Sequence, residues 1–434
     1  MLDLEIIRSQ PEMVKKAAHD KGVKVDVDRF LELDKKRRQI SLEIDDLRQQ
    51  RNQHALSVKN KKPTDEEINI GREIKQKLSA LEGPDSEWTS LDSELAQLIR
   101  LIPNIPHELV PIGDSEADNV VSKTVGDKPS FEFEVKSHWD LAQLNGWIDK
   151  ERAAKVAGAR FAYLKGDLVL LEFALWQFAF SVLTDESILK EIISKNKLEV
   201  SSKPFIPVLP PAVAKTTVYE ATGRLNKEEQ TYKLADDDLW LNASAEHTLA
   251  PMYLDEILNE TDLPIRYVGY TTAFRREAGT YGKDMEGMFR LHQFNKLEME
   301  SFNLPEASFN EHLFMVAIQE YLMEKLCLPF QVVEKCTADI GFPNAKGVDI
   351  EVWLPSQNQY RETHTADYIT DFQARRMQTR VRRQDGPLQT VHTNDATVFS
   401  ERPLIAILEN FQTVDGRVRV PVVLQKFIGK EIIG

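Results

Sequence analysis

The feature that most constrains the fold is a pair of heptad patterns near the start of the chain. In each, apolar side chains recur with the alternating three- and four-residue spacing of a coiled-coil seam. The first seam consists of Leu33, Arg37, Ile40, Ile44, Leu47, Arg51, His54 and Val58. The second consists of Ile70, Ile74, Leu78, Leu81, Trp88, Leu91, Leu95, Leu98 and Ile102. Two such helices joined by a short polar turn predict an antiparallel helical hairpin.

Local signals predict where these helices begin, end and break. Ser9-Gln10-Pro11-Glu12 and Thr64-Asp65-Glu66-Glu67 both match a capping box, in which a hydroxyl and a carboxylate bond the first free amides of a helix. Lys21-Gly22 predicts the end of a short first helix, and a longer helix is expected over residues 28–58. Because proline removes a helical hydrogen bond, Gly83-Pro84 predicts a kink or short break in the second seam.

Beyond the hairpin the pattern changes to mixed helices and strands. Three prolines between Pro103 and Pro111 predict a linker, so we expect two domains, residues 1–110 and 111–434. Helices are predicted at 152–161 and 168–183, and strands at 265–270, 290–300, 348–354 and 405–408. The strands lack a regular strand–helix–strand rhythm. We therefore predict an α+β protein whose second domain has a mixed, mostly antiparallel sheet with flanking helices.

Composition restricts the class of protein. Of 434 residues, 42% are hydrophobic and 29% charged, which is typical of a soluble globular protein. Two cysteines, Cys327 and Cys336, are too few for a disulfide framework or a cysteine-rich zinc site. The N-terminus does not resemble a secretory signal, and the most apolar segment, Phe173 to Leu183, is too short to span a membrane. We expect a cytoplasmic protein with no membrane partner.

The net charge of −14 argues against general nucleic-acid binding, but the charges are unevenly distributed. Between Leu31 and Lys62 there are nine Lys and Arg against five Asp and Glu, and between Arg375 and Arg383 there are five arginines and no acid. Such basic islands on an acidic body predict local contacts with phosphates. The alternatives are solvated helix faces for the islands and a generic dimerising coiled coil for the hairpin.

A fragment near the middle of the chain carries the clearest chemistry. Phe274-Arg275-Arg276-Glu277 and the stretch from Met288 to Glu298 have the composition of two strands that flank a glycine-containing turn, residues 278–287. The planar guanidinium of the first arginine suits phosphate oxygens. Glu298 and Glu300 share one face of the second strand, and an acid on an otherwise apolar strand predicts a cationic partner such as a substrate ammonium. A surface hairpin with solvated charges is the alternative.

This fragment resembles motif 2 of class II aminoacyl-tRNA synthetases, in the form used by seryl-tRNA synthetases. Other segments resemble the same family in the same order along the chain. They are 205–211 (motif 1), 240–247 (a serine-binding Thr-Ala-Glu segment), 361–365 (ATP and Mg²⁺), 370–376 (a scaffold with a phosphate-facing arginine), and 391–397 with 401–412 (motif 3). The resemblance to bacterial-type members spans nearly the whole chain. It implies a class II catalytic domain and a coiled-coil arm that binds tRNA.

The resemblance implies a serine–tRNA ligase, which forms seryl-adenylate from L-serine and ATP and passes the seryl group to tRNA(Ser). It implies a homodimer, ATP as a substrate and Mg²⁺ bound with ATP. The implied catalytic residues are Arg275 and Arg402. The implied serine-binding residues are Ser244, Ala245, Glu246, Arg275, Glu298 and Thr397, with Ala396 as the alternative to Thr397.

Further site residues follow from the same resemblance. The implied ATP-binding residues are Arg275, Arg276, Glu277, Leu291, Glu362, Thr363, His364, Thr365 and Arg402. The implied magnesium ligands are Glu362 and Thr365. The implied tRNA-binding residues of the arm are Lys35, Lys36, Arg37, Arg38, Arg48 and Arg51.

Two alternative functions are compared with this one. Serine is usual where this chain has His364, and small residues are usual just before Arg402, where it has Val398-Phe399-Ser400-Glu401. These departures favour a non-catalytic paralogue that binds RNA or a partner. A ligase that loads carrier proteins is disfavoured, because relatives of that kind lack the arm and use a cysteine-ligated zinc.

Overall fold

The computed structural model of the chain describes residues 1–59, 61–224, 230–277 and 288–434. These residues form two compact units, Met1–Ile105 and Pro106–Gly434. The turn expected at residues 278–287 lies outside the described residues.

The first unit is helical. Its helices are α1 (Leu4–Ser9), α2 (Pro11–Asp20), α3 (Val27–Val58), α4 (Asp65–Glu82) and α5 (Glu87–Arg100). Helix α3 lies against both α4 and α5, which confirms the predicted hairpin. Ile44 and Leu47 of α3 are buried against Ile74 and Leu78 of α4, so the two heptad seams form the core of this unit.

One of the two predicted capping boxes is present. Glu67 donates its amide to the Thr64 hydroxyl (3.2 Å) and accepts a hydrogen bond from the Thr64 amide (2.8 Å), which confirms the prediction there. The capping box predicted at Ser9 is wrong. Ser9 is the last residue of α1, and its hydroxyl donates to the Glu5 carbonyl at 2.6 Å instead of capping α2.

The break predicted at Gly83-Pro84 is confirmed, because α4 and α5 are separate helices. Ser86 begins the second of them by accepting a hydrogen bond from the Thr89 amide at 3.2 Å. Trp88 packs against the α3–α4 core, so the apolar seam resumes directly after the break.

The second unit is built around an eight-stranded sheet. The strands of this unit are β1 (Val120–Val125), β2 (Ile148–Asp149), β3 (Tyr163–Leu164), β4 (Ile206–Val208), β5 (Val213–Lys215), β6 (Leu239–Leu241), β7 (Ile257–Asn259), β8 (Ile265–Phe274), β9 (Gln293–Asn303), β10 (Phe330–Glu334), β11 (Lys346–Leu354), β12 (Gln359–Thr370), β13 (Arg380–Arg382), β14 (Leu388–Thr390), β15 (His392–Phe399), β16 (Val418–Arg419) and β17 (Ile432–Ile433). The large sheet has the order β1-β10-β11-β12-β15-β9-β8-β4. Strand β4 is parallel to β8, and the other neighbouring pairs are antiparallel. The predicted mixed, mostly antiparallel sheet is confirmed.

Helices cover one face of this sheet. The helices of the unit are α6 (His138–Leu144), α7 (Lys150–Ala157), α8 (Asp167–Leu183), α9 (Glu186–Asn196), α10 (Thr216–Ala221), α11 (Glu246–Leu249), α12 (Ser308–Lys325), α13 (Phe372–Met377), α14 (Arg402–Asn410) and α15 (Val422–Ile428). Apolar side chains of α8, α12 and α14 are buried together with Leu297, Ile350 and Ala396 of the sheet. The other face of the central strands carries polar side chains, and the candidate site lies there.

Two predicted elements of this unit differ from the structure. The strand predicted at 405–408 is wrong, because these residues lie in α14, which has Pro403 in its first turn. A short apolar run does not by itself distinguish a buried helix from a strand. The helix predicted to reach Phe161 ends at Ala157, where Gly158 adopts a φ of +100°.

Among the described residues, no single helix has the length and hydropathy needed to cross a membrane. Helices α8 and α9 meet that requirement only together, as a pair bent by 75°. Much of α8 is buried in the apolar core of the second unit.

Candidate active site

Three central strands bring the polar residues together. Strand β9 lies between β8 and β15, and Glu298 of β9 is opposite Gly269 of β8 and Thr397 of β15. Since side chains alternate along a strand, Lys296 and Glu298 point to the face opposite Leu297, which is in the apolar core. The sheet register therefore places residues from distant parts of the sequence side by side.

The segment that leads into α11 packs directly on this sheet. A Cβ atom at Gly269 would lie 2.6 Å from Leu249 Cδ1, so any other residue there would displace this buried leucine side chain. Ala245 is buried in the same apolar cluster as Leu249. This packing fixes Ser244 and Glu246 next to β9.

Arg275 and Arg402 line one cleft, although they are far apart in the sequence. The cleft has a volume of about 210 Å³. Eight of the predicted site residues line it, namely Arg275, Glu277, Leu291, Glu362, Thr363, Thr365, Thr397 and Arg402. The structure thus assembles most of the predicted ATP-binding residues around a single opening.

Arg402 is paired with Glu362 across this cleft. Its Nη1 lies 2.9 Å from Glu362 Oε2 and donates to the Glu362 carbonyl at 2.8 Å. Partial burial acts to raise the pKa of Glu362, but the charges of Arg402, Lys335 and Arg275 outweigh it and hold that pKa at about 2. Glu362 is therefore an ionised carboxylate, and 45% of its side chain is exposed.

Backbone and ring contacts orient the two arginines of motif 2 differently. Arg275 Nε donates to the Ala243 carbonyl at 3.1 Å, and the guanidinium carbon lies 5.2 Å from the centre of the Phe294 ring, another residue of the cleft wall. Arg276 Nε donates to the Thr231 carbonyl at 2.9 Å, and Arg276 does not belong to the cleft wall.

Glu277 is held at the rim of the cleft in an unusual backbone conformation. Its φ of +48° is uncommon for a residue with a side chain. Arg160 Nη1 donates to the Glu277 carbonyl at 2.8 Å, and Arg290 Nη1 lies 3.0 Å from Glu277 Oε2. Two arginines thus fix a strained residue at a functional opening, where such strain concentrates.

Glu298 lies at the centre of a second cluster beside the cleft. Its carboxylate accepts hydrogen bonds from the Ser244 hydroxyl and the Lys296 ammonium, and from the Glu246 amide at 3.2 Å. Burial acts to raise the pKa of Glu298, but the charge of Lys296 and these hydrogen bonds lower it to about 2. A buried, ionised carboxylate is thus placed next to the cleft, in contact with a lysine that lines it.

Glu246 is held from its other side by Arg224 and Gln373. Arg224 Nε lies 2.9 and 3.1 Å from the two carboxylate oxygens of Glu246, and Gln373 Nε2 donates to Glu246 Oε1 at 2.6 Å. Arg224 Nη2 also reaches Asp367 at 3.1 Å and Asp395 at 3.5 Å. Both carboxylate oxygens of Glu246 are therefore fixed.

Strand β12 separates His364 from its neighbours. Glu362, Thr363 and Thr365 line the cleft, whereas the His364 ring is buried 5.7 Å from the Phe399 ring. Burial lowers the pKa of His364 to about 3, so the ring is neutral at physiological pH. His364 is not part of the cleft wall, but its Nδ1 lies 2.8 Å from the hydroxyl of Thr363, which is.

Strand β15 distinguishes the two alignments of motif 3. Thr397 is opposite Glu298 and lines the cleft. Ala396 is buried in the apolar core on the other face. Of the two, Thr397 has its hydroxyl at the site.

The arginines of the segment 370–376 form contacts within the second unit. Arg375 lies 2.5 Å from Asp371, and the Arg376 guanidinium lies 4.8 Å from the centre of the Phe372 ring. Neither belongs to the wall of the cleft, where a phosphate-facing arginine was expected from this segment. The contribution of the segment to the site is Gln373.

Most of the predicted tRNA-binding residues of α3 form ion pairs within the first unit. The pairs are Lys36 with Glu32 (2.8 Å), Arg37 with Asp92 (3.3 Å), Arg38 with Asp34 (3.0 Å) and Arg48 with Glu82 (2.7 Å). Lys35 and Arg51 are exposed. The carboxylates of Glu32, Asp92 and Glu82 are partly exposed, so their ion pairs are weak and Lys36, Arg37 and Arg48 can exchange them for other anions. Asp34 is buried and holds Arg38 more firmly.

Three contributors to the site were not predicted from the sequence. Lys296 is on the same strand face as Glu298, two residues away, and strand periodicity was a signal that could have found it. Phe289, whose ring centre lies 5.1 Å from the Arg402 guanidinium, had only its position in motif 2 as a signal. Arg224 lies in a segment without periodicity or a motif, so the sequence offered no signal for it.

The fold and the site define the class. Residues 230–411 match the family model described as tRNA synthetase class II core domain (G, H, P, S and T). Residues 1–106 match the model for the seryl-tRNA synthetase N-terminal domain. The second unit thus carries the core of a class II tRNA synthetase.

Full-length relatives define the family. The serine–tRNA ligase of Kosmotoga olearia is 40% identical over 441 residues, which cover 100% of both chains. The crystal structure of seryl-tRNA synthetase from Pyrococcus horikoshii complexed with ATP matches with a TM-score of 0.87 and 37% identity, over 100% of this chain and 99% of that one. The cytoplasmic serine–tRNA ligase of Naegleria fowleri in complex with AMP matches with a TM-score of 0.83 and 26% identity, over 100% and 98% of the two chains. The chain belongs to the seryl-tRNA synthetase family.

Proposed function

We propose that this chain is a serine–tRNA ligase, which activates L-serine with ATP and transfers the seryl group to the 3′ end of tRNA(Ser). One observation carries the proposal. Arg275 and Arg402 line a single cleft, and the ionised carboxylate of Glu298 lies beside it. A phosphate-binding region next to an ammonium-binding region is what amino-acid activation requires.

The two arginines bind the phosphates of ATP. Arg402 is paired with Glu362 in the structure, so entry of a triphosphate would replace that carboxylate as the partner of its guanidinium. Arg275, which directly follows β8, binds the α-phosphate. Glu277 and the backbone at Leu291 hold the adenine end, and Arg276 supports that part of the site through its backbone.

Glu362 and Thr365 would hold Mg²⁺ together with ATP. An ionised carboxylate and a hydroxyl on one wall of the cleft are the hard oxygen donors that this ion prefers. Among the described residues, no three His, Cys, Asp or Glu side chains are grouped so that they could hold a metal ion. With ATP bound, Mg²⁺ would supply positive charge that neutralises the phosphate oxygens.

Serine binds where Lys296 now contacts Glu298. The ammonium group of serine binds the carboxylates of Glu298 and Glu246, and the Ser244 hydroxyl is a further hydrogen-bond partner. Ala245 holds this segment in place. The Thr397 hydroxyl pairs with the serine hydroxyl. A site built in this way rejects alanine, because its own polar groups would be left without partners.

The chemistry is an in-line attack by the serine carboxylate on the α-phosphorus, which forms seryl-adenylate and breaks the bond to pyrophosphate. Negative charge accumulates on the phosphate oxygens, where Arg275 and Arg402 offset it. No protein nucleophile takes part, so the rate depends on positioning and electrostatics. A hydroxyl of the terminal ribose of tRNA then attacks the seryl carbonyl and releases AMP.

The first unit is the tRNA-binding arm in this proposal. Its exposed cations on α3 contact the phosphate backbone and recognise shape more than base sequence. The residues proposed for this contact are Lys35, Lys36, Arg37, Arg38, Arg48 and Arg51.

A homodimer in the cytoplasm completes the proposal. Strand β4, in the segment that resembles motif 1, is an edge strand, with Ile206 48% exposed and the following Leu209 81% exposed. A second copy would cover this apolar edge. Both cysteines, Cys327 and Cys336, are free thiols, which suits a reducing compartment.

Serine-dependent exchange of pyrophosphate into ATP tests the activation step. We expect exchange with serine, much less with threonine, and almost none with alanine. Absence of exchange in folded protein would contradict the proposal and favour a non-catalytic RNA-binding paralogue. Equal exchange with threonine or alanine would contradict the assignment of serine.

A further inference from the structure

We propose that Arg224 is a positioning residue for recognition of the amino acid, which fixes the carboxylate of Glu246 and thereby controls how tightly the substrate ammonium binds. This inference rests on the proposed function, in which Glu246 is part of the serine site. It adds to that function a residue outside the motifs that identify the family.

The geometry of Arg224 is that of a clamp. Its Nε lies between the two carboxylate oxygens of Glu246, at 2.9 and 3.1 Å, and its Nη2 is anchored by Asp367 at 3.1 Å. Asp395 lies 3.5 Å from the same nitrogen. These three acids come from α11, β12 and β15, so one guanidinium ties together three separate elements of the site.

The charges around Glu246 make this clamp necessary. Glu300, Asp367 and Asp395 are all buried nearby, and both carboxylate oxygens of Glu300 lack a hydrogen-bond partner among the described residues. Within the same residues, Arg224 is the one cation that forms an ion pair with Glu246. Burial and the neighbouring acids raise the pKa of Glu300 well above its ordinary range, so it remains protonated and cannot offset the charge of Glu246.

The position of the clamp makes its effect selective. Arg224 does not belong to the wall of the cleft that contains Arg275 and Arg402, so it is not placed to contact ATP. Without it, Glu246 would face other acids with no cation to hold its orientation, and it would turn away or take up a proton. The substrate ammonium would lose one of its carboxylate partners, while the nucleotide site would be unaffected.

The test compares Arg224→Met and Arg224→Lys with the unaltered full-length chain in the pyrophosphate-exchange assay, with serine and ATP varied separately. Loss of a charge-assisted hydrogen bond predicts a KM for serine raised on the order of tenfold to a hundredfold in Arg224→Met. The KM for ATP should stay within about twofold. Arg224→Lys keeps the positive charge but lacks the planar guanidinium that bonds two carboxylates at once, so it should give an intermediate KM for serine.

The control is Arg417→Met, which removes another ion-paired arginine of the same unit, held by Asp415 at 2.7 Å. Its KM for serine should be unchanged. An unchanged KM for serine in Arg224→Met would overturn the inference. An equal rise in the KM values for serine and ATP would also overturn it, because it would indicate general disruption of the active site.

Two further outcomes keep the test decisive. If thermal unfolding shows that Arg224→Met does not fold, Arg224→Lys decides: a selective rise in the KM for serine supports the inference, and no rise overturns it. If the unaltered chain shows no serine-dependent exchange, the proposed function fails. If the unaltered chain is active and substitution of Arg224 leaves the KM for serine unchanged, only the inference about Arg224 fails.

Discussion

The arm and the active site use the same kinds of ion pair in opposite surroundings. On α3, Arg48 pairs with Glu82 at 2.7 Å while 53% of its side chain is exposed. In the second unit, Arg224 pairs with Glu246, of whose side chain only 5% is exposed. Coulomb interactions are strong in the second setting and weak in the first, because water screens exposed charges. Cations of the arm can therefore exchange partners, whereas the guanidinium of Arg224 is held in a fixed position.

This difference matches the tasks proposed for the two units. An arm that binds a polyanion needs cations that release one acid and accept a phosphate at little cost. A site that activates an amino acid needs charges that do not reorganise during the reaction. A substitution in the site should therefore lower the rate of adenylate formation by a large factor. A substitution in the arm should weaken tRNA binding by a smaller factor.

The steepest effect is expected at Arg275. Arg275→Ala removes a fixed positive charge from the α-phosphate, so we expect adenylate formation to fall by at least about 10²–10³-fold. The dimer should persist, because Arg275 lines the cleft and not the edge strand β4. Pyrophosphate exchange measures the first effect and light scattering the second. Arg417→Ala, at an arginine paired with Asp415, is the matched control. Near-normal exchange in Arg275→Ala would show that the role assigned to Arg275 is wrong.

Deletion of residues 29–100 separates the two units functionally. The catalytic unit has its own core, so serine-dependent exchange should survive within severalfold. Aminoacylation of tRNA should fall by about 100-fold or more, because contacts with the arm supply most of the phosphate binding. Acid-precipitable seryl-tRNA measures this step. Unchanged aminoacylation would exclude the arm as the tRNA-binding element.

The same contrast explains what the sequence could predict. The hairpin follows from local periodicity, and the heptad positions Ile44 and Leu78 are buried as the pattern predicts. The family motifs predicted that Arg275 and Arg402 belong to one site. Their shared cleft depends on the pairing of β9 with β8 and β15, which is nonlocal and leaves no periodic signal.

The errors have the same origin. Ser9 satisfies the composition of a capping box, but a competing short helix uses its hydroxyl. Residues 405–408 have the apolar composition of a buried strand and lie in a buried helix. Arg224 could not be found, because its function arises only where α11, β12 and β15 meet. Sequence patterns predict elements well, and they predict contacts between distant elements only where a known family supplies them.

A moderate effect is expected for exposed cations of the arm. Lys35→Gln and Arg51→Gln each remove one phosphate contact, so the KM for tRNA should rise severalfold, and the slope of log KM against log salt should fall by about one unit per substitution. Exchange without tRNA should not change. Lys190→Gln, an exposed lysine of the second unit paired with Glu186, is the control. A KM for tRNA that is insensitive to both arm substitutions would place the RNA contact elsewhere.

The smallest effect concerns stability and arises at Glu401, a buried acid that accepts a hydrogen bond from the Asn295 amide at 2.6 Å. Burial, with Glu172 nearby, raises the pKa of Glu401 from its ordinary 4.5 to about 8. Between these values the unfolded chain releases a proton that the folded protein keeps. The free energy of unfolding therefore falls as pH rises from about 4.5 towards 8. Glu401→Gln keeps the acceptor and removes the titration, which should raise Tm by a few degrees more at pH 8.5 than at pH 5. Glu256→Gln, at an exposed acid of the same unit, is the control. An equal change in Tm at both pH values in Glu401→Gln would mean that Glu401 is ionised in the folded protein, like the acids of the arm.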